Sequence, residues 1–262
     1  MKVKALFIYP IKSLQGIKVP QATLLEKGFE YDRRWMLVDE QGVFITQRKH
    51  PQLSKIKVLL KNDTLIVSTL GEGSMSIPLK ITTGSAITAT VWGISVTALT
   101  ASSEINNWFS KVTGITCQLV YMPENASRLI SPETKSTVSF ADAYPYLVLG
   151  QSSMDDLNSR MERPLPIHRF RPNIVFYGGA AYDEDTWATF SIGKADFTGI
   201  KPCVRCVFTT IDQDTGMSGK EPLKTLATYR NKGEGVIFGL NAIAGNFKTI
   251  KIGDKIVVHE IL

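Results

Sequence analysis

The chain is short of cysteine and histidine, with three of each in 262 residues. An odd, small number of cysteines argues against a disulfide framework and makes a reducing compartment, the cytoplasm, the expected setting. No run approaches the roughly 18 apolar residues of a membrane-spanning helix. The opening Met1–Pro10 has a basic front, but its apolar stretch is too short for a signal-peptide core, and Pro10 ends it. Arg33-Arg34 and Arg48-Lys49 stand as isolated pairs, not as a basic cluster interleaved with aromatics. Nucleic acid is therefore not an expected partner, although the net charge of +6 suits an anionic ligand. The spacings of a P-loop, a dinucleotide fingerprint, a nucleophile elbow and a zincin helix are also missing.

What is present is an ordinary globular composition, 44% hydrophobic and 21% charged. The first ninety or so residues read as strands and turns. Val3, Ala5 and Phe7 alternate with Lys4 and Leu6. Residues 55–60 and 64–70 flank a hairpin turn at 61–63, and 87–91 and 94–99 flank Trp92-Gly93. Helices then enter. Ser102 caps one that ends at Gly114, a second spans Ser153 to about Met161 with Asp156 completing a capping box, and a third covers Leu223–Tyr229. Further strands are expected at 117–121, 146–150, 173–177, 188–192, 206–211 and 256–259. This is a mostly β, α+β chain in two parts, 1–97 and 98–262.

Four clusters carry candidate chemistry. Cys203-x-x-Cys206 brackets Arg205, and a neighbouring arginine favours a thiolate. Read alone, the pair fits a dithiol, half of a zinc site with Cys117, His50, His168 or His259, or two core cysteines. Lys12 and Ser13, in Tyr9-Pro-Ile-Lys-Ser13, can hold an anion at a strand end. Arg33 and Arg48 offer planar forks to phosphate, or are solvated charges. Arg171 and Asn173 flank Pro172 at the start of an apolar strand. The acid pairs Asp155-Asp156 and Asp183-Glu184-Asp185 read as helix-end or solvated carboxylates.

Taken in order, these segments resemble the MOSC superfamily, and within it the amidoxime-reducing components. The resemblance rests on Tyr-Pro-Ile-Lys-Ser at 9–13, Asp-Arg-Arg-Trp at 32–35, Thr-Gln-Arg-Lys-His-Pro-Gln-Leu at 46–53 and Asp-Leu-Asn-Ser-Arg at 156–160. It continues through Phe-Arg-Pro-Asn-Ile-Val at 170–175, Tyr-Asp-Glu-Asp-Thr-Trp at 182–187, the stretch 203–216 and Gly-Lys-Glu-Pro-Leu-Lys-Thr-Leu at 219–226. It implies an N-terminal β-barrel-like domain (1–97) packed on a MOSC β-barrel domain (98–262), with a molybdenum cofactor (Mo-molybdopterin) in the groove between them. Pyridoxal phosphate is not expected. Cys206 would be the sulfur ligand of the metal. Lys12, Ser13, Arg33, Arg171, Asn173 and Arg205 would contact the pterin and its phosphate. Asp142 would be an acidic residue near the metal and a source of protons. The implied activity is reduction of N-hydroxylated compounds (hydroxylamines, amidoximes, N-hydroxylated nucleobases), an N-reductive detoxification. The alternative it leaves is a non-catalytic carrier of the cofactor or its sulfur. Four cysteines for an iron–sulfur domain are missing, so electrons are expected from a separate ferredoxin- or flavoprotein-like donor.

Overall fold

A computed structural model describes residues 1–130, 136–233 and 235–261. Alternation in the first strand, Lys2–Ile8, buries Val3, Ala5, Leu6 and Ile8. Its neighbours are Ile17–Val19 on one side and Ile174–Tyr177 on the other, both antiparallel. From there the main sheet continues through Tyr146–Gly150, Gly235–Ala244, Ala195–Val204 and Trp187–Ile192 to Ile256–Ile261. Tyr146–Gly150 is buried at every position, as a strand covered on both faces must be. It runs parallel to Ile174–Tyr177. A parallel pair needs a crossover, and α2 (Gln151–Ser159) lies in that connection.

The other large sheet orders Trp35–Val38, Gln118–Tyr121, Ile94–Thr100 and Ala86–Val91, all antiparallel. Its faces feed two cores. Trp35, Leu37, Leu119 and Tyr121 pack with Ile105 and Phe109 of α1 (Ser103–Thr113), while Met36, Val38, Val120 and Phe140 pack on the opposite side. A three-stranded meander, Lys57–Lys61, Thr64–Ser68 and Ser74–Pro78, supplies Val58, Val67 and Ile77 to the first of these cores.

The expected hairpins form where the turn chemistry put them. Asn62 and Asp63 (φ 47° and 57°), and Trp92 and Gly93 (φ 52° and 79°), take the left-handed pairs of two-residue turns. In α1, Ser102 Oγ accepts from the Ile105 amide and Gly114 closes the helix at φ 69°. α3 (Leu223–Ala227) is two residues shorter than expected.

Three expectations need correction. The second helix starts at Gln151 with Gly150 as its cap, because Ser153 faces inward and donates to the buried carboxylate of Glu184. That makes Glu184 a fully buried acceptor, not a solvated charge. Residues 206–211 are not a strand: Val207–Thr210 forms a 3₁₀ turn whose N-cap is Cys206. The expected boundary at residue 97 lies within the strand Ile94–Thr100. The halves interleave, since Lys2–Ile8 and Gln21–Leu25 pair with Ile174–Tyr177 and Thr249–Lys251, and Gln118–Tyr121 pairs back onto Trp35–Val38.

Candidate active site

The interleaving brings seven loop segments to one cavity of about 350 Å³. The loop after the first strand contributes Lys12 and Ser13. It is held by Gln47 Nε2, which donates to Ser13 O at 2.6 Å. The next loop contributes Arg33. Asp32 beneath it is fully buried, accepting from the Tyr9 amide (2.7 Å) and from Arg33 Nη1 (2.5 Å). Burial works against the charge on Arg33, but Asp32 outweighs it and raises the guanidinium pKa. Asn173 closes this corner: its Oδ1 accepts from Arg33 Nη1 at 3.2 Å and its Nδ2 donates to Phe7 O at 3.3 Å.

The opposite wall comes from the C-terminal half. The strand Ala195–Val204 ends beside Gly235–Ala244, and the Arg205 amide keeps the register by donating to Val236 O. Arg205 Nη2 donates to Phe170 O (2.7 Å) and its Nη1 points at Cys203 Sγ (3.0 Å). The chain then turns, leaving Cys206 exposed at the cavity with Arg48 Nε 3.2 Å from its sulfur. The two thiols thus face different arginines. Among the described residues, no three His, Cys, Asp or Glu side chains converge as a metal-holding group, so the zinc reading lacks a ligand set.

Asp142 sits where the walls meet. Lys12 Nζ and Arg48 Nη2 both donate to it, the latter at 2.5 Å, and Trp92 Nε1 donates at 3.2 Å. Arg128 fixes the segment behind it by donating to Ser139 O and Ala141 O. Partial burial opposes ionisation of Asp142, yet Lys12 and Arg48 outweigh it and hold the carboxyl well below the usual range. Lys12 is itself pushed down to about 8, by burial first, with Asp142 partly offsetting it.

Five cations therefore line the cavity: Lys12, Arg33, Arg48, Arg171 and Arg205. Asp142 is the carboxylate among the lining residues. Arg171 shows the imbalance. Burial, then the like charge of Arg33, lower it to about 10, and its Nη2 has no hydrogen-bond partner among the described residues. The Arg205 Nε is likewise buried without a partner. In place of carboxylates, aromatic rings contact the cations. Arg33 and Arg171 flank Tyr9 at 4.6 and 4.1 Å, Arg171 and Arg48 flank Phe208 at 5.3 and 5.9 Å, and Arg48 lies 5.0 Å from the Trp92 ring. Backbone strain gathers here as well. Of the eight non-glycine residues with positive φ among the described residues, Ser13, Arg33, Trp92 and Arg171 line this cavity.

Residues 1–116 match the model of the MOSC N-terminal beta barrel domain, and residues 135–257 match that of the MOSC domain. This chain is a member of the MOSC family. Its relatives in that family include mitochondrial amidoxime-reducing component 1 of Mus musculus, 34% identical over 97% of this chain and 81% of the relative. The corresponding Homo sapiens protein is 32% identical over 97% of this chain and 82% of its own length. Molybdenum cofactor sulfurase of Oryza sativa subsp. japonica is 32% identical over 97% of this chain, which spans 33% of that longer protein.

The cavity of this MOSC protein fits the cofactor its family implies. A multiply anionic, phosphate-bearing pterin answers an excess of buried cations and two orphaned guanidinium N–H groups, and a soft metal answers an exposed sulfur flanked by an arginine. All eight residues singled out in the sequence, Lys12, Ser13, Arg33, Asp142, Arg171, Asn173, Arg205 and Cys206, line this one cavity. Asn173 is only 1% exposed and acts chiefly as a clamp between the halves. Three residues were not singled out for the site: Trp92, Tyr9 and Phe208. Arg48, read as a fork for phosphate or a solvated charge, lines the cavity as well. The signal for Trp92 was there, since a bulky indole occupies a two-residue turn that favours Asn and Gly.

Proposed function

We propose that the chain binds the molybdenum cofactor and reduces N-hydroxylated compounds to the amine level, with electrons from a separate redox protein. The observation that carries this reading is the exposed sulfur of Cys206 at a cavity where, among the described residues, five cations line the wall against one carboxylate. Cys206 would be the metal's protein ligand. Lys12, Ser13, Arg33, Arg171 and Arg205 would hold the pterin and its phosphate. When bound, the group supplies two-electron redox chemistry at the metal. The net reaction, R–NHOH + 2 e⁻ + 2 H⁺ → R–NH₂ + H₂O, breaks the N–O bond, forms an N–H bond and releases the oxygen as water.

The chain's own residues contribute charge, orientation and protons. Arg171 and Arg33, set by Tyr9, meet anionic groups with guanidinium faces already fixed in place, which lowers the ordering cost of binding. Asp142, held ionised by Lys12 and Arg48, accepts hydrogen bonds from both. The proton-bearing group beside it is Lys12 Nζ, cationic at neutral pH and close enough to deprotonation to exchange.

The similarity to a molybdenum cofactor sulfurase supports a second reading, a carrier of the cofactor or its sulfur without turnover. One experiment separates the two. The protein is purified from a host that makes molybdenum cofactor, beside Cys206→Ala, and both are assayed for molybdenum, pterin and dithionite-driven conversion of benzamidoxime to benzamidine. About one molybdenum per chain, lost in Cys206→Ala together with turnover, is the expected result. Molybdenum without turnover would select the carrier. A wild-type protein without molybdenum would sink both readings.

A further inference from the structure

Trp92 is costly where it stands. It occupies the first position of the two-residue turn between Ala86–Val91 and Ile94–Thr100, at φ 52°. A bulky residue there is a backbone outlier, and left-handed turn positions ordinarily take Asn, Asp or Gly. Core packing does not account for it, since the side chain stays 52% exposed. The indole is nevertheless fixed. Phe44 packs against it at 4.9 Å, Nε1 donates to Asp142, and the Arg48 guanidinium lies over the ring. A strained, half-exposed, immobilised aromatic surface at a cavity is the form of a ligand contact.

We infer that Trp92 is a specificity residue: its indole is a stacking ledge at the mouth of the cavity that selects N-hydroxylated substrates carrying a flat aromatic group. The inference rests on the reductase reading above. The polar N–O head is directed inward by the lining. Arg48 and Asp142 suit a small hydrogen-bonding group and offer little to an apolar one. The apolar lining includes the buried Phe170 and Phe208, and the exposed large apolar residues of the described lining are Trp92 from the N-terminal half and Val204, 42% exposed, from the C-terminal half. An aryl group stacked on the ledge leaves its head among the charges. A methyl group in its place has no flat face to stack on the indole.

The test compares benzamidoxime with acetamidoxime on the cofactor-loaded protein, using the wild type, Trp92→Asn and Trp92→Phe. Asn suits the turn and so preserves the hairpin. The expected result is a fall of about tenfold in the ratio of the two kcat/KM values for Trp92→Asn, with most of the ratio kept by Trp92→Phe. Trp92→Phe also lacks the Nε1–Asp142 hydrogen bond, so retention of the ratio assigns the effect to the ring face. A role confined to holding Asp142 would lower both substrates together, leave the ratio unchanged in Trp92→Asn, and overturn the proposal. Calorimetric binding of benzamidine and acetamidine to the same three proteins reads the ledge without turnover. A preference for benzamidine lost only in Trp92→Asn supports the ledge even where reduction fails. Equal affinities in the wild type would overturn it.

Discussion

Arg171 carries its guanidinium carbon 4.1 Å from the centre of the Tyr9 ring, and that of Arg33 lies 4.6 Å from the same ring. Two like charges share one buried aromatic, so each gains a cation–π contact that offsets part of the repulsion by which Arg33 lowers the Arg171 pKa. The Tyr9 hydroxyl donates to Pro172 O at 3.0 Å and fixes the ring. Gly16 makes the space: a Cβ there would lie 2.3 Å from the Tyr9 ring.

The shared ring separates two substitutions. Tyr9→Phe keeps the ring and loses one buried hydrogen bond, so we expect a loss of about 1 kcal/mol in stability and intact molybdenum content. Gly16→Ala meets no backbone penalty but forces the ring aside, and is expected to cost about 1–3 kcal/mol as an overpacked site. The cofactor content of Gly16→Ala should fall as the two arginines lose their alignment. Urea denaturation and metal analysis of both variants check this. Equal metal content in the two would remove Tyr9 from the site.

Asp32 is the second point of leverage. Its carboxylate is fully buried, and it holds both the Tyr9 amide and Arg33. Asp32→Asn leaves Arg33 buried without its counter-charge and places an N–H group near other donors. Removal of one partner of a buried pair costs about 3–5 kcal/mol. We expect Asp32→Asn to lose that much in chemical denaturation. Asp32→Asn with Arg33→Met should recover part of the loss, since the stranded charge is gone. A single variant as stable as the wild type would show that the pair contributes nothing.

The sequence is most legible where a local rule is strong. Ser102 and Gly114 bound α1, and Asn62-Asp63 places a hairpin, because capping and turn geometry are decided within a few residues. Sheet order is not local. Lys2–Ile8 pairs with Ile174–Tyr177 across some 170 positions, and no alternation pattern in either strand names its partner. Cys206–Ile211 misleads for a related reason. Its β-branched run favours a strand, but Cys206 caps a 3₁₀ turn and Phe208 is drawn inward between Arg171 and Arg48. Local segments single out Lys12, Ser13, Arg33, Arg171, Asn173 and the cysteine pair around Arg205, but only the family resemblance joins them in one site and adds Asp142, because they lie in five separate loops. For Arg48 the sequence leaves both a phosphate fork and a solvated charge open, and only the fold shows its guanidinium bonded to both Asp142 and Cys206.

Lys12 gives a prediction with a sign that can fail. In the unfolded chain a lysine titrates near pH 10.4, whereas burial brings Lys12 down to about 8 in the fold. Between those values the unfolded chain holds the extra proton. The Lys12 contribution to stability therefore rises as pH rises from about 8 to about 10.4, and is least favourable below that window. Anion binding must run the other way, because the cavity loses one positive charge as Lys12 deprotonates. Asp142 stays ionised across the whole range and does not mask the change. With inorganic pyrophosphate as the probe, calorimetry on the wild type should show affinity weakening above about pH 8. Bound anion should shift that midpoint upward. Lys12→Arg should hold its affinity to higher pH. Proton uptake on binding, read from the dependence of the heat on the ionisation enthalpy of the buffer, should appear near pH 8 in the wild type and disappear in Lys12→Arg. Identical pH profiles for the two proteins would mean that Lys12 is not the cation that the anion meets.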